Sequence, residues 1–90
     1  MAPVVVEISG KKKEYNDKRK FRQDHLGLEL NIESISPDNA VLSAQDRPLD
    51  YRLDGKPGIL LAQQWCSLSR NGRVFFVRDQ NGEQFKIYFR

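Results

Sequence analysis

The sequence predicts a mainly β domain with one short helix, folded as a small partly open β-barrel, and three observations carry that expectation. Two runs rich in aromatic and β-branched residues, Val74 to Arg78 and Phe85 to Phe89, flank an Asn81-Gly82 pair. Leu26, Leu28, Leu30 and Ile32 alternate strictly with Gly27, Glu29, Asn31 and Glu33. Turn-forming clusters punctuate the middle of the chain at Ser36-Pro37-Asp38-Asn39 and at Asp54-Gly55-Lys56-Pro57-Gly58.

Each element follows from its residues. Asn-Gly readily supplies the two positive-φ positions of a type I′ turn, so the last twenty-one residues read as a β-hairpin. A two-residue loop there sets Arg78 opposite Phe85, Phe76 opposite Ile87 and Val74 opposite Phe89. Phe75, Val77 and Tyr88 then share the other face, which becomes a candidate protein interface. Val4 to Ile8 is a β-branched run ended by Ser9-Gly10, a buried strand. Residues 10–24 show no clear period and are expected to form a mobile basic loop or arm. From His25 to Ile35 the period of two predicts a strand with one face on the core. Proline and the Asx residues then make a turn, and Ala40 to Ala44 pairs back antiparallel. Pro48 interrupts the ladder before Leu49, Tyr51 and Leu53 resume the alternation.

Residues 58–70 admit two readings. With helical spacing, Leu61, Ala62, Trp65, Cys66 and Leu68 form one stripe, and Arg70 and Gly72 suit a helix C-terminus. The competing reading makes Asn71-Gly72 a second I′ turn, with Trp65 to Ser69 paired against Val74 to Arg78. The helix is the favoured one. The resulting order of strand, basic loop, two strands, helix and two strands matches an OB-like barrel, with an SH3-like barrel as second choice. The expected core comprises Val4, Val6, Leu28, Leu30, Ile32, Val41, Leu61, Trp65, Phe76 and Ile87.

Ninety residues make a single domain large enough to bury a core without a staple. One cysteine, Cys66, leaves no disulfide framework and no cysteine-built zinc site, and fits a reducing cytoplasm. The N-terminus has neither the basic region nor the apolar length of a signal peptide, and no run approaches a membrane span. The net charge of +3 is small but uneven. Residues 10–24 hold seven basic and three acidic side chains, a net of +4, against −1 for the rest. Such local excess is expected of an electrostatic contact site, although a solvated loop would show it too.

Few groups are suited to acid-base or nucleophilic chemistry. Cys66 sits on an apolar stripe beside Trp65, as an ordinary buried thiol does. His25 follows Asp24, and a metal-independent ribonuclease is only a minor alternative. There is no ligand cluster for a metal and no phosphate-cradling glycine loop, so no metal and no cofactor are expected. The sequence therefore predicts a non-catalytic binding module for an acidic partner, above all nucleic acid. Lys11, Lys12, Lys13, Lys18, Arg19, Lys20 and Arg22 would neutralise phosphates, while Tyr15 and Phe21 stack bases. The alternative is a small regulatory or inhibitory subunit that meets a partner protein through Phe75, Val77, Tyr88 and the edge of the C-terminal hairpin.

Overall fold

A computed structural model describes residues 4–26, 28–71, 74–78, 82 and 84–90. It is mainly β, with nine strands and one helix among the described residues: β1 (Val4–Ile8), β2 (Lys11–Tyr15), α1 (Lys18–Asp24), β3 (Leu30–Ile35), β4 (Asn39–Ala44), β5 (Leu49–Leu53), β6 (Lys56–Leu60), β7 (Trp65–Ser69), β8 (Val74–Arg78) and β9 (Gln84–Phe89). A six-stranded antiparallel sheet runs β2-β1-β9-β8-β5-β6, and a three-stranded one runs β3-β4-β7. Their facing sides meet in one core, and the barrel is not closed. The helix joins the second strand to the third. No helix among the described residues is long and apolar enough to cross a membrane.

Local chemistry explains the hairpins. Ser9 and Gly10 both take positive φ, as do Asp54 and Gly55, and each pair forms the two-residue loop between antiparallel strands. Positive φ at both central positions gives the twist that suits a tight hairpin. The first loop turns the chain back as β2, so the predicted mobile loop begins instead as a paired edge strand. At Ser36 to Asn39 the turn forms as expected: the Ser36 N–H donates to the Asn39 carbonyl at 2.8 Å, and the Asn39 N–H donates to the Ser36 hydroxyl at 3.2 Å. Pro57 lies on edge strand β6, where its missing N–H is tolerated.

Three further expectations are corrected. Residues 58–70 are strand: β6 ends at Leu60, and β7 pairs with β4, so neither the helix nor the pairing with β8 forms. Leu61 and Trp65 consequently lie outside the core, at 45% and 69% exposure. The alternation before Leu30 does not make a strand either. The Leu28 N–H bonds the His25 carbonyl in a turn, leaving Leu26 exposed and Leu28 half-buried.

The third correction concerns the C-terminal hairpin, where Arg78 pairs with Gln84 rather than Phe85. That one-residue difference swaps the faces of β8. Phe75 and Val77 enter the core with Phe85 and Ile87, while Phe76 is half-buried on the opposite side. The register answers to β1, whose Val4 and Val6 stand beside Phe89 and Ile87 and decide which face of β9 is inside. Gly82 has positive φ, as its turn position requires; Asn81 and Gly72 lie outside the described residues. Because β9 is paired on both sides, it offers no free sheet edge.

Phe75 is fully buried and stacks on Tyr51, with ring centroids 4.9 Å apart. Phe75→Ala is expected to cost about 3–5 kcal/mol in chemical denaturation, and Phe76→Ala clearly less. Equal losses would reverse the assignment of faces. Tyr51 in turn lies over Gly58, where an added Cβ would stand 2.5 Å from the ring. Gly58→Ala should displace Tyr51 and cost about 1–3 kcal/mol by overpacking, measured in the same assay.

Candidate functional site

The basic segment is built by the β1–β2 hairpin and the helix that follows it. Along β2 side chains alternate, so Lys11, Lys13 and Tyr15 stand opposite the inward-facing Ile8, Val6 and Val4. Lys12 and Glu14 face outward. Lys12 lies 3.4 Å from Glu7 on the adjacent strand, and Glu14 accepts from the Arg90 guanidinium at 2.7 Å. Lys12, Glu14 and Arg90 are exposed and Glu7 is only half-buried, so both pairs contribute little to stability.

Seven residues are too few for an autonomous helix, so α1 depends on its ends and on one anchor. Asp17 is the N-cap, extended at φ −134°, and its carboxylate accepts the Arg19 N–H at 2.9 Å. Phe21 is the helix's buried residue. Its ring meets Tyr15 edge-on at 5.5 Å and His25 at 4.9 Å. At the C-terminal end the Tyr15 hydroxyl donates to the Asp24 carboxylate at 2.8 Å, and Lys13 bonds the same oxygen. Since the phenol's one proton goes to Asp24, its oxygen accepts from His25 Nε2–H at 3.0 Å, which places a proton on Nε2.

This clasp shapes the electrostatics. The hydrogen bonds from Lys13 and Tyr15, with the nearby Lys13 and Lys20 charges, hold the Asp24 carboxyl below the ordinary carboxylate range. Burial, followed by the bond to Asp24, pushes the Tyr15 phenol well above its ordinary value, so it is a hydrogen-bond donor and not a base at neutral pH. Beside the clasp a cleft of about 550 Å³ opens between β1, β2 and the turn after α1. Val6, Ile8 and Leu28 contribute its apolar lining, with Lys11 and Lys13 also part of the wall.

The structure separates the predicted site residues into two sets. Lys11, Lys12, Lys13, Lys18, Arg19, Lys20 and Arg22 are exposed. Tyr15 and Phe21 are buried at 1% and 2% exposure, and neither can stack a base. They serve instead to fix the helix that carries the cations. The predicted interface also divides, because Phe75 and Val77 are in the core whereas Tyr88 is half-buried on the other side of the sheet.

Sequence reasoning passed over another arrangement on that outer face. Phe76 stands directly between Arg52 of β5 and Lys86 of β9, with Arg78 two residues along. Arg52, Arg78, Asp50 and Ile59 join Phe76 in lining a shallow groove of about 840 Å³. All these residues were visible in the chain, but only the cross-strand register brings them together.

Cys66 and His25 belong to different clusters. His25 packs on Tyr15 and Phe21, while Cys66 on β7 reaches Tyr51 of the opposite sheet. Burial pushes the Cys66 thiol up, so it stays protonated at neutral pH. Among the described residues no three His, Cys, Asp or Glu side chains gather as a metal site. Comparison of the chain with protein-family models, with curated proteins and with solved structures found no match.

Asp24 links the helix to β2, and its titration should therefore be visible in stability. Its folded-state pKa is depressed, so the stabilisation is complete above the unfolded value near about 4 and is lost as pH falls through the folded value. Asp24→Asn should lower the melting temperature at pH 7 and flatten its decline in acid. An unchanged acid limb would assign that decline to other carboxylates.

Proposed function

We propose that this chain is a non-catalytic binding module for an acidic partner, a nucleic acid, which it meets through the outer surface of α1. The observation that carries the proposal is the placement of Lys18, Arg19, Lys20 and Arg22, all exposed, on a short helix whose intervening Phe21 is buried. Pinning by Phe21, Asp17 and the Asp24 clasp presents the cations on an ordered element, which lowers the entropy lost on binding. Lys11, on the edge strand β2, is exposed as well and lines the cleft beside Asp24. The cytoplasm is the compartment we assign, on the strength of the single Cys66 thiol.

Phosphate contacts of this kind release counterions, so affinity falls with salt. Four contacts to a single strand give a log–log slope of about −3, from about 0.7 per phosphate. Specificity would need base contacts in addition. Phe76, ringed by Arg52, Arg78 and Lys86, is the aromatic that replaces Phe21 as a stacking candidate.

Replacing Lys18, Arg19, Lys20 and Arg22 by Ser should leave the melting temperature nearly unchanged, as exposed substitutions usually do. Fluorescence anisotropy with labelled single-stranded and hairpin oligonucleotides should show binding by the wild type and loss of both affinity and salt slope in the variant. Equal binding by the two proteins would remove α1 from the site. No binding by the wild type at low salt would remove nucleic acid as the partner.

A further inference from the structure

The edge of a β-sheet carries unpaired N–H and C=O groups, and folded proteins protect such edges with lysines, proline, bulges or a covering element. The two sheets have four edges, at β2, β6, β3 and β7. Strand β2 carries Lys11, Lys12 and Lys13, and β6 carries Lys56 and Pro57. A register shift between Ile32 and Ser34 interrupts β3, and α1 packs beside that strand. The fourth edge differs. From Trp65 to Ser69, β7 has no charge and no proline, and its register with β4 is unbroken. Trp65 is 69% exposed at its start, and Ile59 and Leu61, just upstream, are 60% and 45% exposed.

We propose that β7 pairs with β7 of a second copy of this chain, antiparallel about a two-fold axis through Ser67, and joins the two small sheets into one of six strands. The pattern of the strand specifies this occupant. Centred on Ser67, antiparallel pairing sets Trp65 beside Ser69 of the second copy and Cys66 beside Leu68. Cys66 and Leu68 both lie on the side of β7 that faces the core, opposite Leu42 and Ala40 of β4, and Leu68 is already fully covered in one copy, so the seam rests on the backbone ladder and the exposed Trp65 and Ser67. No like charges are opposed, which matters in a chain of net charge +3. The same patch serves both copies, so the contact closes as a dimer and does not propagate.

The dimer does not depend on what α1 binds. It leaves both helices free, since each packs on β3 at the far side of its own sheet. At about 4.8 Å per strand, the two β3 strands would stand about 24 Å apart.

Sedimentation equilibrium on the full chain tests the pairing, with emission of the single tryptophan as a local reporter. The expected result is a species of twice the 10.5 kDa chain mass, with Trp65 emission shifting to the blue as protein concentration rises. Ser67→Lys opposes two ammonium groups at the axis and should weaken the dimer by about tenfold or more, while circular dichroism stays that of the wild type. Trp65→Ser, at an exposed position, supplies a second variant expected to weaken association should Ser67→Lys fail to fold. A wild-type monomer at all concentrations up to about 1 mM would overturn the proposal, whether the edge is bare or taken by a strand of another protein. So would a dimer that neither substitution weakens.

Discussion

The pairing of the first described strand with the last holds this architecture together. β1 and β9 lie side by side from Val4–Phe89 to Ile8–Phe85, and each is interior to the six-stranded sheet. A contact between chain ends carries a large loop-closure cost, which the burial of Val4, Val6, Phe85 and Ile87 must offset. Most other pairings are local hairpins: β1 with β2, β3 with β4, β5 with β6, and β8 with β9. The β1–β9 ladder turns these units into one sheet, places β2 and its lysines at an edge, and sets the inward face of β9.

The two open sides between the sheets are treated differently. On one side α1 bridges β2 and β3, and its buried Phe21 fills the space beside Tyr15 and His25. On the other, β6 and β7 are linked through residues 61–64, where Ala62 makes a single bridge to Ala44. The first side carries the exposed cations and the second the exposed Ile59, Leu61 and Trp65. The exposed cations and the exposed apolar side chains thus occupy separate surfaces.

The residues misplaced by sequence periodicity share a physical cause. A period argument assumes that apolar side chains are buried, which Leu26, Leu61 and Trp65 are not. Counting Leu61 and Trp65 as core turned a strand pattern, with only Cys66 and Leu68 separated by one residue and facing inward, into an apparent helical stripe. In the opposite direction, Phe21 among four cations reads as an exposed aromatic for bases, yet it is the anchor that lets so short a helix exist. An amphipathic pattern too brief to show a period is settled by packing against a neighbour.

Composition and turn chemistry by themselves determined the β class, the Ser36–Asn39 hairpin, the strand from Leu49 to Leu53 and the concentration of positive charge in residues 11–22. Those properties depend on neighbours in sequence: a proline or glycine at a turn, alternation along a strand, like charges in a run. Tertiary structure alone decided that β1 joins β9, that β7 joins β4 and that Phe75 rather than Phe76 is inside. Each of these is a pairing of distant segments, and a shift of one residue in such a pairing moves every side chain to the other face without altering any local preference.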